Sequence, residues 1–474
     1  MSAGNLAIDY IDEHSLGSSH LESIDEVDDA EWGFGCRCVF HFANITIFIY
    51  SVNKKWVMAA VIKTFLLLLH NINNTAMLTI EEVRNASKVL DKVARLTPII
   101  PAPKLSDKCN VYLKAENLQL TGSFKLRGAY YKISQLSPEE KAKGVIACSA
   151  GNHAQGVALG ATHNGIKSLI CLPAGAPISK VEATKGYGAE VCLVPGVYDD
   201  AYAKALELQR EHGYSFVHPF DDPKVIAGQG TIGLEILEQL PDVQAVVVPI
   251  GGGGLISGVA FAIKNVRPDV KVYGVQSSGA PSMAESLKEG KLCHLSNVST
   301  IADGIAVKEP GVNTFDMCNR YVDGVVTVSD DEIAAAILAL LEKQKIVAEG
   351  AGAVAVAAVM FDKLPVDGLN TVCLVSGGNI DVTTLSRVIT RGLAKEGRNH
   401  TFIIDLADKP GQLSGVCDAI GCHGGNILSV THERINTSAA ITGCTIRIEV
   451  ETRDNEHIEE LREALAERGY NVIS

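Results

Sequence analysis

Between Gly144 and Asn379 the chain repeats one pattern. GVIACSA, KSLICLP, AEVCLVPG, AVVVPIGGG, VKVYGVQ, DGVVTVS and TVCLVSGGN are almost continuously apolar, and most of them stop at Gly, Pro or Ser. A strand with one wet face alternates apolar and polar residues, whereas a strand of a parallel sheet covered by helices on both sides does not. The intervening HAQGVALGATHNG, YAKALELQREHG, TIGLEILEQL and DEIAAAILALLEKQ carry apolar residues at three- and four-residue spacing, as crossover helices do. The expected fold class is therefore α/β, with ligands gathered beyond the carboxyl ends of the strands.

After Arg398 the pattern changes. HTFIIDLAD, NILSVTHERI and GCTIRIEVET read as strands, KPGQLSGVCDAIGCHGG and IEELREALAERG as helices, and NVIS as a last strand. This predicts a separate βαββαβ domain over 400–474. At the other end, residues 1–76 hold both tryptophans, an acidic run (ESIDEVDDAEW) and two apolar patches. Each patch is short of the roughly 20 apolar residues a membrane span needs, and Lys63 interrupts the second. They read as an atypical extension, non-native or disordered. Of the two alternatives, a membrane-proximal segment or a translated stretch ahead of a start at Met77, the second is preferred, because MLTIEEVRNASKVL reads at once as a capped amphipathic helix.

Charge excludes one class of partner. Lys+Arg 42 against Asp+Glu 55 gives a net charge of −13 with no basic tract, so no nucleic acid is expected. The 12 cysteines are scattered through apolar stretches without a CxxC pair, which suits reduced, buried thiols in a cytoplasmic protein and predicts no metal site.

Four clusters carry chemistry. In TGSFKLRGAYYKI, Lys125 follows Phe124, and Gly128-Ala129 open a closely packed helix. A lysine alone is a solvated residue as a rule. One at a helix start, against an apolar wall, has its pKa lowered by the dipole and by desolvation, which makes it a nucleophile toward an aldehyde. SAGNHAQG puts Ser149, Ala150, Gly151, Asn152 and His153 after a strand, where helix-start N–H groups can hold a carboxylate. Gly251, Gly252, Gly253, Gly254 and Leu255 follow another strand, where N–H groups unobstructed by any Cβ can converge on a phosphate. Ser376 stands at a third strand end. GQGTIG at Gly228 to Gly233 matches a dinucleotide pattern, but no strand precedes it and no acidic residue follows at the required distance, so NAD is not expected.

In order along the chain, GSFKLRGA, SAGNHAQG, KVEATKGYGAEV, GQGT, VPIGGGGLISG and VSGGN resemble the threonine dehydratases (threonine ammonia-lyases), pyridoxal phosphate enzymes of fold type II. The resemblance implies a two-subdomain catalytic module like the tryptophan synthase β subunit over 77–395. It makes Lys125 the Schiff-base lysine and catalytic base, and Asn152 the partner of the cofactor's 3′ oxygen. It gives the phosphate to Gly251 to Leu255, the pyridine nitrogen to Ser376 and the substrate to 149–153. DKPGQL and GGNI make the C-terminal unit resemble an ACT domain, implying a homo-oligomer, dimer or tetramer, and an allosteric amino acid, isoleucine, near Asp408, Pro410, Gly411, Gln412, Leu413 and Asn426. Threonine or serine is the implied substrate.

Rival activities remain. Serine racemases place a serine where this chain has Ala150 and a Glu where it has Gln276, so dehydratase is preferred over racemase. O-acetylserine-type synthases usually have a different carboxylate loop. A non-enzymatic alternative is an amino-acid sensor with an inactive cofactor module.

Overall fold

The structure is a computed structural model that describes residues 36–42, 45–51, 78–434 and 443–473. Chain contacts divide it into two units, Met1–Met77 and Leu78–Ser474. Most of the N-terminal extension, including the patch WVMAAVIKTFLLLLH, lies outside the described residues. Within it, β1 (Cys36–Phe42) pairs antiparallel with β2 (Ile45–Ser51). Among the described residues no helix is long and apolar enough to cross a membrane.

The second unit begins with the helix that MLTIEEVRNASKVL predicts. Helix α1 (Ile80–Leu90) is capped by Thr79, whose hydroxyl accepts from the Glu82 N–H at 3.1 Å. Beyond it the apolar runs form two sheets. One contains β3 (Ile99–Pro101), β4 (Asn110–Ala115), β9 (Ala245–Pro249), β10 (Lys271–Ser277), β11 (Gly324–Val328) and β12 (Asn370–Val375), in the order β11-β10-β9-β12-β4-β3. All its pairings are parallel except that of β3 with β4. The other contains β5 (Val145–Cys148), β6 (Ser168–Pro173), β7 (Glu190–Val194) and β8 (Ser215–Phe216), parallel throughout in the order β7-β6-β5-β8.

Successive residues of β9 explain the unbroken apolar runs. Ala245 and Val247 join one core, Val246 and Val248 the core on the opposite face. Both faces are dry, so neither side-chain set can be polar. Strand β4 was not evident in sequence, because Lys114 breaks its apolar pattern. That lysine is nonetheless buried, and its Nζ donates to the Thr97 carbonyl at 2.8 Å and lies beside Glu235.

Five further helices position the site: α2 (Lys125–Ser134), α3 (Asn152–His163), α4 (Ile178–Gly186), α5 (Pro223–Gln239) and α6 (Gly254–Val266). GQGTIG lies inside α5, which extends further toward its N-terminus than TIGLEILEQL indicates. Its glycines serve packing. A Cβ on Gly228 would sit 2.6 Å from Gly128 Cα of α2, and one on Gly230 would sit 3.0 Å from the Gly258 carbonyl of α6. The backbones of three helices approach closely there, which only glycine permits.

The C-terminal domain has β13 (Asn399–Ala407), β14 (Asn426–Glu433), β15 (Gly443–Glu451) and β16 (Asn471–Val472) in the antiparallel order β14-β15-β13-β16. Two helices, Gln412–Cys422 and Asn455–Glu467, complete its core with Val416, Ile420, Leu461 and Leu465. This is the expected βαββαβ ACT-like arrangement. Arg398, at its entrance, pairs with Glu342 of the preceding module at 2.6 Å.

Candidate active site

Lys125 is the first residue of α2, just two positions before the buried Arg127. Arg127 is clamped between Glu116, at 2.8 Å, and Glu235. A guanidinium paired with two carboxylates from different elements fixes the helix start, and with it the exit vector of the Lys125 side chain. Lys125 is partly buried, and its amine donates to the Pro219 carbonyl at 2.8 Å and lies 5.3 Å from the Phe124 ring centre. Desolvation lowers its pKa from 10.5 to about 8, opposed by the nearby Glu349 carboxylate.

The other strand-end loops converge here. Ser123 bridges to Gly377, and the Phe124 N–H donates to the Ser376 carbonyl at 3.1 Å, joining the Lys125 loop to the end of β12. Ser376 is 2% exposed and its hydroxyl donates to the Ala351 carbonyl at 3.3 Å. Asn379 Nδ2 donates to the Thr121 carbonyl and to Asn152 Oδ1, each at 2.7 Å. Asn152 in turn donates to Glu349 at 2.6 Å. Ser149 Oγ accepts from the Gly151 N–H at 3.2 Å and shapes the turn into α3, whose first N–H groups have no carbonyl within the helix to bond.

One predicted residue behaves differently. The His153 ring is buried, its Nε2 hydrogen-bonds the Val217 carbonyl at 2.8 Å, and burial holds its pKa at about 3. The ring is a neutral core group, which leaves only the His153 backbone to the loop.

The glycine loop turns β9 into α6, with Gly253 at φ +98 before the first residue of the helix. A Cβ on Gly252 would lie 2.5 Å from the Phe220 ring, and one on Gly253 would lie 2.7 Å from Thr314 Cβ. Thr314 Oγ1 donates to the Gly252 carbonyl at 2.6 Å, steadying the loop. Steric crowding enforces bare backbone at a helix N-terminus, the arrangement that suits a phosphate. An aromatic aldehyde carrying a phosphate fits this set: a desolvated amine, a Cβ-free anion cradle and a buried hydroxyl at a neighbouring strand end.

Sequence reasoning missed Glu349. Only 5% exposed, it has its carboxyl raised from 4.5 to about 7, first by burial and then by Asp303. Asp303 pairs with Lys180 of α4 at 2.6 Å. The available signal was AEGAGA, a lone acid directly before an otherwise apolar helix. Asn379 was within the VSGGN motif, but its contacts to two other loops depend on the fold.

In the C-terminal domain a cavity of about 360 Å³ is lined by Leu406 to Leu413 with His432, Arg434 and Cys444. Asp408, Pro410, Gly411, Gln412 and Leu413 therefore do share a pocket. Asn426 does not join them within this chain. It starts β14, opposite Glu451, to which it donates at 3.0 Å, while the pocket lies at the other end of that strand.

The L-threonine ammonia-lyase of Thermotoga maritima is 50% identical over 398 residues, 84% of this chain and 99% of its own. Among solved structures, the processed form of threonine deaminase isoform 2 from Solanum lycopersicum shares 43% identity at a TM-score of 0.63, covering 66% of this chain and 92% of that one. Maize serine racemase shares 34% at a TM-score of 0.63, covering 67% and 98%. Residues 90–377 match the family described as pyridoxal-phosphate dependent enzyme. The site's geometry and these similarities agree: the chain belongs to the pyridoxal-phosphate dependent enzymes, in the fold type II branch, and takes pyridoxal phosphate as its cofactor.

Proposed function

We propose that the chain is a threonine ammonia-lyase that converts L-threonine to 2-oxobutanoate and ammonia, and L-serine to pyruvate and ammonia. The observation that carries this is the desolvated Lys125 amine, held among the Asn152, Ser376 and glycine loops in a chain half identical to an L-threonine ammonia-lyase. Lys125, the glycine loop 251–255, Asn152, Phe124 and Ser376 would hold the cofactor. When bound, pyridoxal phosphate supplies the electron sink that acidifies the substrate's α-proton.

The chain's own residues do the rest. Lys125 accepts the α-proton. The first-turn N–H groups of α3, with Ser149 and Asn152, hold the substrate carboxylate and so orient the Cα–H bond toward the amine. Loss of the β-hydroxyl with that proton removes one water, and exchange of the amino group for a water oxygen then releases ammonia. A neutral hydroxyl at Ser376 leaves the ring nitrogen without a formal charge partner, which favours prompt elimination over transamination.

Two features weigh against racemisation. Ala150 offers no second base for the opposite face. Gln276, at the position where racemases bear a carboxylate, is buried and accepts from the Ala284 N–H at 2.8 Å, so its amide is occupied within the fold. L-Serine should therefore give pyruvate with almost no D-serine. Chiral chromatography checks this, and D-serine in amounts comparable to pyruvate would reverse the assignment.

We further propose that the C-terminal domain binds a regulatory amino acid, isoleucine, in a cytoplasmic homo-oligomer, and that residues 1–76 are dispensable. Gly411, at φ +90, stands immediately before the helix Gln412–Cys422; its Gln412 N–H bonds the Lys409 carbonyl at 3.4 Å, and the remaining first-turn N–H groups suit a carboxylate. Open space surrounds a Cβ there, and although φ +90 strains any residue with a side chain, aspartate is among those least disfavoured in this region. Gly411→Asp should abolish the isoleucine response while retaining basal threonine turnover. A full response in the variant would remove the loop from the regulatory site.

A further inference from the structure

We propose that the C-terminal domain holds a transition-metal site of the zinc type, formed by Asp408, His432 and Cys444. The three come from the turn after β13, from β14 and from β15, and their ligand atoms lie within 4.8 Å of one another. Register explains the meeting. Cys444 faces Leu406 across β13–β15, and His432 faces Ile446, two residues along from Cys444. Opposite residues of antiparallel strands share a face, so the imidazole and the thiol lie diagonally on the same side of the sheet.

Among the described residues, neither the His432 ring nor the Cys444 thiol has a hydrogen-bond partner, although Cys444 is 2% exposed. Carboxylate, imidazole and thiolate form a donor set that zinc accepts, and hard cations such as magnesium do not favour it. Zinc–ligand bonds of about 2.0–2.3 Å set tetrahedral donor pairs roughly 3.5 Å apart, so side-chain movements of roughly 1 Å complete the site. Asp408 and His432 are both exposed, so their side chains have room for such movements. Asp408 accepts from Arg434 through both oxygens, at 2.9 and 3.4 Å, in an exposed pair in which each oxygen keeps a second lone pair for a metal. Burial raises the Cys444 thiol pKa, so binding releases its proton to solvent as the thiolate forms. All three donors line the cavity that also holds 406–413, which leaves room for water or a small N/O ligand to complete the coordination. The metal site shares Asp408 and this cavity with the isoleucine proposal, so the titration is run without isoleucine, and its outcome is read from metal binding alone.

The test uses untagged, reduced holoenzyme titrated with Co2+, read in the red, where tetrahedral cobalt absorbs and the cofactor does not. Zn2+ is the competitor. The expected result is one tetrahedral cobalt per chain, displaced by Zn2+. Cys444→Ser and His432→Asn should each lose the band and bind Zn2+ more than about tenfold more weakly. His432→Asn lies on an exposed edge strand, so it separates loss of the ligand from loss of folding. A band retained at unchanged affinity in both variants would assign the metal to another thiol, such as exposed Cys422, and overturn the proposal. So would a wild-type titration with no tetrahedral band.

Discussion

Replacing Lys125 by alanine is expected to abolish turnover of threonine and the visible absorbance of lysine-linked cofactor. The Lys125 amine donates to the Pro219 carbonyl, next to Phe220 against the glycine loop, and its own loop is tied to Ser376 and, through Asn379, to Asn152; the methyl group of alanine can neither link to an aldehyde nor accept a proton. Loss of a positioned base alone costs about 10²–10⁴ in rate, and loss of the covalent link compounds it. Formation of 2-oxobutanoate, followed in a coupled assay, should fall to background, and reduction with borohydride should no longer attach the cofactor to the chain. Arg127 and its carboxylate partners are untouched by the substitution, so the fold should survive, as far-UV circular dichroism would show. Near-normal turnover by the variant would transfer the reaction to another group.

Glu349→Gln is expected to make the apoenzyme more stable and less active. In the folded state the Glu349 carboxyl is raised from 4.5 to about 7, chiefly by burial. The folded chain therefore holds this proton where the unfolded chain has lost it. Stability contributed by the protonated form is complete below pH 4.5 and is lost as pH rises through about 7. That interval corresponds to up to about 3 kcal/mol. A neutral glutamine removes the cost, so urea midpoints of variant and wild type should separate as pH rises from 4.5 to about 7 and stay apart by a constant amount above that. Lys125 has the opposite sign: its pKa is lowered from 10.5 to about 8, so its contribution is complete above 10.5 and is lost as pH falls through 8. Near neutral pH the site thus stores strain from both groups, as functional sites do. Activity should suffer because Glu349 orients Asn152, which Asn379 ties to the Lys125 loop. A decrease of roughly tenfold to hundredfold in kcat is expected from a small misplacement. An unchanged pH dependence of stability would show that Glu349 is already ionised at low pH.

The C-terminal domain shows why some sites are harder to read than others. Asp408 to Leu413 are consecutive, and a turn followed by a helix start is a local event, so their common pocket was legible. Asn426 was joined to them by motif, yet a strand rises about 3.3 Å per residue, and β14 carries it to the far end of the domain. His432 and Cys444, which line that pocket, belong to no short-range pattern. They meet because β14 and β15 pair in one register, and a shift by one residue would turn them to opposite faces.

What the sequence determined by itself is whatever periodicity and local backbone chemistry control. Unbroken apolar runs required strands dry on both faces, glycines at strand ends required bare turns into helices, and Lys125 after Phe124 at a helix start marked the desolvated amine. Tertiary structure alone decided that the runs divide into two sheets, that the glycines of GQGTIG let three helices close on one another, and that the His153 ring turns into the core. It also decided that Glu349 is held near pH 7 beneath Asn152. The reason is that a side chain's charge state depends on burial and on the groups around it: desolvation raises Glu349 most, and the groups that act on it by charge and hydrogen bonding, Asp303, Asn152 and Lys180, come from segments far from it in the chain.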